Sequence, residues 1–374
     1  MKLVLAAALL AAAAATLEYD SSAYASPVDT AAPDFAPVTS SDWCSIPGLA
    51  IEKEEQQIGH YSYGARVTYG SRNGTIRCHA NESHKKQMAH VFEHLSKGKN
   101  RPGLASITVD SFPRIERTMM VKGQHCVLTT WPVSVSLKEY VRSMTPARKE
   151  KVLPAIVVQI ISAFNYLESI GFYYHTIGPE SIMIRSNIAS EVPSVIVADL
   201  HQIRGEYGVL QSDELTTFRQ GNELETFENE RGYRPPEDYG PSETVTVKKR
   251  IPWILGATIY DALTGMPPYG FTKSLDGITP WENGKLEKAM LELQASGNNT
   301  YPPVEISNVY LDELVKTLLT CNPQDRPAIN KPDWRLVRNL ANGSGIIVRL
   351  GIGATDMSRM IGLAARTINP FARN

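Results

Sequence analysis

The sequence predicts an α+β fold in two unequal parts: a small β-rich part with one helix, then a larger, mainly helical part. Two observations carry that reading. Between residue 43 and about residue 122, short apolar runs alternate with turn residues, at 65–69, 74–79, 106–109 and 117–121. From Ser136 onward the apolar spacing turns helical, most clearly at Ile156, Val157, Ile160, Ile161, Phe164 and Leu167. With 43% hydrophobic and 21% charged residues over 374 positions, the chain can bury a large core. That excludes disordered, collagen-like and small disulfide-stapled classes. A formal charge of -1 gives no general case for nucleic-acid binding.

In chain order, residues 1–25 read as a cleaved secretory signal, which places the mature chain outside the cell. Lys2 supplies the positive charge, residues 3–17 are almost entirely Leu and Ala, and Ala23-Tyr24-Ala25 supplies a small-x-small cleavage site. The apolar stretch is shorter than the roughly 20 residues a membrane span needs. No membrane span is expected in the mature chain, since residues 343–354 are apolar but short and broken by Arg349. Two further features agree with export. Four N-x-S/T sequons, at Asn73, Asn81, Asn298 and Asn342, are candidate glycosylation sites. Four cysteines, Cys44, Cys78, Cys126 and Cys321, allow one or two disulfides in an oxidising compartment, and spacing does not separate the pairings.

Residues 26–42, rich in Pro, Ala, Ser and Asp without periodicity, read as a flexible arm. The folded domain then spans 43–332, with its small part at about 43–130 and its larger part at about 131–332. Residues 84–95 supply the helix of the small part, and 154–170, 253–263 and 310–319 supply helices of the larger one. The charged segment 213–230 reads as a solvated loop, and Lys248-Lys249-Arg250 as a solvated basic patch. Residues 333–374 form a C-terminal extension, read as an amphipathic tail on the larger part.

Several stretches then fall in a recognisable order. Ile58-Gly59-His60-Tyr61-Ser62-Tyr63-Gly64 looks like a degraded glycine-rich loop. Tyr174-His175-Thr176-Ile177-Gly178-Pro179-Glu180-Ser181 follows a helix and precedes a strand. Val195-Ile196-Val197-Ala198-Asp199-Leu200-His201 is a strand running into an aspartate. Gly232-Tyr233-Arg234-Pro235-Pro236-Glu237, the helical run from Trp253 to Tyr269, and Asn322-Pro323-Gln324-Asp325-Arg326-Pro327 complete the series. Together, residues 51–332 resemble the eukaryotic protein-kinase family, whose HRDIKPEN loop, DFG, APE and NPxxRP motifs these stretches echo. The resemblance implies a two-lobed protein kinase-like fold, with a buried ion pair between Glu237 and Arg326.

At the positions the resemblance assigns to chemistry, the residues depart from the family. Phosphoryl transfer relies on positioned ATP, magnesium and an aspartate that orients the substrate hydroxyl. Thr176 stands at that aspartate, Gly178 at the nearby lysine and Ser181 at the metal-binding asparagine. His79 falls near the phosphate-binding lysine of the small lobe, with Arg77 as the substitute if the register differs by two, because both then face one side of the strand. Met88 falls near the glutamate that pairs with that lysine, Glu93 being the nearest alternative. Ile251 replaces the aspartate that steadies the catalytic loop. Asp199 remains as a weak metal ligand, and Gly59 and Gly64 with Asp199 as a residual nucleotide site. The expectation is therefore a secreted, catalytically inactive kinase-like protein, a pseudokinase acting as scaffold or effector for an unidentified protein partner. No cofactor is expected. The alternatives are a weak ATP-dependent phosphotransferase using Asp199, with Glu180 or His175 as ligands and magnesium or manganese, and a nucleotide-binding pseudokinase without turnover.

Overall fold

The computed structural model describes residues 37–43, 45–55, 61–79, 93, 95, 111–169, 172–174, 177–187, 190–199, 203–205, 232–240, 247–282, 284–328, 336–337 and 339–340. The expected signal peptide, the strand at 106–109 and the charged loop at 213–230 lie outside them. The fold is mixed α+β. Five strands, β1 (Leu49–Glu55), β2 (Tyr61–Tyr69), β3 (Arg72–His79), β4 (Arg114–Val121) and β5 (Gln124–Pro132), form one antiparallel sheet in the order β1-β2-β3-β5-β4. The β4–β5 turn is Lys122-Gly123, both at positive φ (49° and 81°), the backbone twist that a tight two-residue hairpin demands.

Strand alternation splits this sheet into two faces. Ala65 and Val67 of β2, Ile76 and Cys78 of β3, and Cys126 and Leu128 of β5 bury one face against Val38, Trp43 and Ile46. Val127, one position out of phase, joins the main core on the other face with Leu95 and Phe112. Cys78 and Cys126 sit directly opposite each other in the β3–β5 register and form a disulfide. Cys321 is a free, buried thiol.

Residues 37–42, assigned by composition to the flexible arm, are instead docked on this sheet. Val38 is 5% exposed, and Trp43 beside them is 1% exposed and stacks on Tyr63 with ring centroids 6.0 Å apart. Lys122 Nζ donates to the Pro37 carbonyl at 2.9 Å and lies 3.0 Å from Asp42. Two apolar anchors among polar residues carry too little periodicity to read from sequence, yet they close one face of the sheet.

The larger part begins at β6 (Val135–Ser136) and α1 (Leu137–Arg142), which Ser136 caps by accepting from the Glu139 N–H at 3.2 Å. Helix α2 (Pro146–Ser169) starts earlier than the expected residue 154. Its first turns are charged, so the apolar stripe emerges only at Leu153, and Pro154 lies inside the helix rather than at its start. Strands β7 (Phe172–Tyr174), β8 (Ile182–Asn187), β9 (Ser190–Val197) and β10 (Ile203–Gly205) follow, β8 pairing with both β6 and β9, and β10 with β7. Helix α3 (Val247–Thr264), the exposed hairpin β11 (Phe271–Ser274) and β12 (Gly277–Pro280), α4 (Lys285–Ser296) and α5 (Val309–Leu318) complete it.

One core runs through α2, α3, α4 and α5, with Ile156, Ile160, Trp253, Leu255, Tyr260 and Leu311 at 1% exposure or less. Each such side chain contributes about 1.5–3 kcal/mol by leaving water. Helix α2 is long and apolar enough over Pro146–Glu168 to cross a membrane, but 72% of that window is buried inside the fold, as for a core helix. The core continues past residue 332 through Leu336, Val337 and Leu340.

Candidate functional site

The site forms where the inner face of the sheet meets the β8–β9 pair. Arg77 of β3 is flanked by Gly64 on β2 and Val127 on β5, so parity turns it away from the disulfide face. Its guanidinium lies across Gly64, where an added Cβ would strike the Arg77 Nη1. Glycine at 64 is therefore a matter of space. Burial lowers the Arg77 pKa, and the nearby charge of Asp199 opposes that shift. An arginine remains a cation in such surroundings. His79 ends β3, paired through its backbone with Tyr61 and His125.

Backbone hydrogen bonds position the opposite wall. Ser181 donates its N–H to the Gly178 carbonyl at 3.0 Å, closing a turn, and its own carbonyl accepts from Ala198 N–H at 2.8 Å. The Ile182–Val197 register thereby sets Ser181 beside the residue preceding Asp199, and both side chains are half-buried. Val197 N–H donates to the Ser111 carbonyl at 2.8 Å, tying β9 to the chain just before β4. Tyr174 of β7 is buried, and its hydroxyl donates to the Val197 carbonyl at 3.4 Å. Burial raises its pKa well above the ordinary value, and Asp199 adds to the shift. Glu180 is exposed, with Lys138 3.5 Å away.

The larger part also holds a set of buried charges. Arg326 is fully buried, and its guanidinium donates at 2.6 and 3.1 Å to the two oxygens of Glu237. It also donates to the carbonyls of Thr320 (2.8 Å), Lys249 (2.6 Å) and Cys321 (3.1 Å), and lies 5.1 Å over the Trp253 ring. Every donor group of the fork is thus used, the condition under which a buried ion pair holds. Next to it, Arg250 Nε donates to Asp238 at 2.7 Å with both side chains at most 2% exposed. Burial raises the Asp238 pKa, and Arg250 pulls it back. Lys249 Nζ donates to the carbonyls of Gln324 and Arg326. The stretch read as a solvated basic patch is therefore structural at Lys249 and Arg250.

A third buried contact joins Tyr233 to Asp261, the tyrosine hydroxyl donating to the carboxylate. Burial raises the Asp261 pKa, with the Tyr233 hydrogen bond, Lys138 and Lys149 working against it. Sequence reading missed Asp238–Arg250 and Tyr233–Asp261. The acidic doublet Glu237-Asp238 facing two arginines was the available signal, because a second carboxylate in a buried turn needs a second cation.

The structure brings Gly64, Arg77, Ser181 and Asp199 together and places Gly178 in the turn leading to Ser181. Gly59, Met88, His175 and Thr176 lie outside the described residues, as do Asn81 and Asn342. Glu93 is helical and exposed. Ile251 is buried in the main core, an apolar contact where the resemblance implies an aspartate.

No family model matches the chain. Over 199 residues, 51% of this chain, it is 25% identical to a probable serine/threonine-protein kinase of Dictyostelium discoideum. The matched stretch covers 43% of that protein, less than half its length. This distant similarity points to a kinase-like relationship.

Proposed function

We propose that this chain is a secreted protein kinase-like protein that no longer transfers phosphate and acts by binding another protein. The residues converging on the site are the supporting observation. Ser181 and Asp199 bring one hydroxyl and one carboxylate to the wall, and Arg77 sets a permanent cation against that carboxylate. Magnesium demands near-octahedral oxygen coordination and is usually held by carboxylates together with phosphates. Among the described residues no cluster of metal-ligating side chains forms, and Asp199 with the Arg77 cation near it is a poor fit for a resident magnesium ion. Thr176, where the family has its aspartate, offers no base near neutral pH, and Gly178 offers no cation. The disulfide between Cys78 and Cys126 suits an oxidising compartment.

One observation favours a second reading, nucleotide binding without turnover. Arg77 holds a guanidinium, a group that pairs readily with phosphate oxygens, against Gly64 of the stretch that resembles a glycine-rich loop. Melting the purified protein with and without millimolar ATP, in magnesium, manganese and EDTA, separates the two. Ligand at about 100 times its dissociation constant adds about 2.7 kcal/mol of stability. No shift is expected under the scaffold reading, whereas a shift abolished by Arg77→Ala supports the nucleotide site. Phosphotransfer that disappears in Asp199→Ala would sink the scaffold reading.

A further inference from the structure

We infer that, of the two sequons whose acceptor residues the structure describes, Asn298 carries an N-linked oligosaccharide and Asn73 does not. The inference rests on the export reading above and goes beyond it by separating sites that are identical as tripeptide signals. Transfer joins the asparagine Nδ2 to the anomeric carbon of a lipid-diphosphate-linked oligosaccharide. The anomeric C–O bond breaks, the lipid diphosphate leaves, and the amide gives up one proton. The product must then be accommodated by the folded chain, and there the two sites differ.

Asn298 follows Gly297, whose φ of 70° ends α4 and swings the chain outward. Asn298, Asn299 and Thr300 are all exposed. Asn298 Nδ2 donates to the exposed Ser296 carbonyl at 3.2 Å, a contact inside the loop that water replaces at little cost. The loop does not need that contact for its shape. Asn299 Nδ2 donates to the Leu319 carbonyl at 2.7 Å, and Thr300 N–H donates to the Tyr269 hydroxyl at 3.0 Å. A rigid loop with an idle, solvated amide at its apex accommodates a sugar without rearrangement.

Asn73 is the opposite case. It lies within β3, paired to Thr68 on β2 and Trp131 on β5. Its Oδ1 accepts the Ser134 N–H at 3.0 Å, so the side chain ties the strand to the linker between sheet and helical body. Thr75, the third sequon residue, exchanges a hydroxyl hydrogen bond with Thr129 at 2.9 Å. An added Cβ at the intervening Gly74 would collide with the Thr129 carbonyl, so the strands are in close contact there. A sugar on the Asn73 Nδ2 would leave a half-buried side chain pinned beside Ser134 and the paired strands, where it has less room than at exposed Asn298.

The test expresses the full chain in a eukaryotic secretory host and collects protein from the medium. Deglycosylation by peptide N-glycosidase in heavy-oxygen water leaves an isotope-tagged aspartate wherever a sugar stood. The tag is expected at 298 and absent at 73. In parallel, Thr300→Ala should remove one electrophoretic mobility step, and Thr75→Ala none. A tag at 73, an untagged 298 in secreted protein, or a mobility step lost in Thr75→Ala overturns the inference. Protein retained in the cell and untagged at every sequon overturns the export reading and the inference with it, a result distinct from secreted protein lacking the sugar at 298.

Discussion

Two carboxylate–guanidinium arrangements in this protein are built to different standards. At Glu237–Arg326 the side chains are 8% and 0% exposed, and the guanidinium makes five hydrogen bonds of 3.1 Å or less. Around Asp199 the residue is half-buried beside Ser181, and the Arg77 guanidinium is near enough for the two charges to act on each other. The first arrangement is closed: removing either partner strands a charge in the core. The second is only half-buried at Asp199. The contrast predicts that substitutions cost more stability in the first region than in the second.

Substitutions can break or sharpen that contrast. The largest effect belongs to Arg326→Ala, which leaves Glu237 buried without its cation and should cost about 3–5 kcal/mol in chemical denaturation. A loss below about 1 kcal/mol would show that water reaches the pair. Next comes the sheet's covalent staple. Replacing Cys78 and Cys126 together by serine releases a link across 48 residues and should cost about 2–4 kcal/mol, read as a lower denaturation midpoint.

A smaller, pH-dependent effect tests Asp261. Burial raises its pKa above the ordinary 3.8, so the folded chain holds this proton more tightly than the unfolded one. Its contribution is fully present below the ordinary value and is lost as the pH rises through the raised folded value. The stability of wild type minus that of Asp261→Asn should therefore fall as the pH climbs from about 4 toward 7. A difference that rises instead would mean the Tyr233 hydrogen bond outweighs burial. The smallest effect belongs to Asp199→Asn, expected within about 0.5 kcal/mol of wild type by thermal melting. A cost rivalling Arg326→Ala would erase the contrast and make Asp199 a structural residue.

The apolar stripe from Ile156 to Leu167 was legible in the sequence because a helix repeats its buried face within a few residues. The order of a β-rich part before a helical one was legible for the same reason. Strand β5 was not, because Gln124 to Trp131 is buried or half-buried on both faces and shows no alternation. Nor was the docking of residues 37–42, where Val38 acts through the distant sheet. At the site, the absence of an aspartate at 176 and a lysine at 178 was plain from residue type alone. The choice between His79 and Arg77 as the residue facing Asp199 was not, since strand parity leaves both on one face. The strand's register sets Arg77 against Gly64 with the Asp199 charge near it, while the His79 side chain lies outside the described residues.

By itself, the sequence determined which residues are present to do chemistry and which local periods bury them, because both depend on side-chain type and near-neighbour spacing. Only the tertiary structure decided which distant groups meet. Cys78 finds Cys126 rather than Cys44 or Cys321, Arg250 leaves solvent for Asp238, and one asparagine of a sequon becomes a strut while another stays idle. Those outcomes turn on strand register and on the balance between desolvation and pairing at each buried charge, and both are fixed only when the sheet and the helices close on one another.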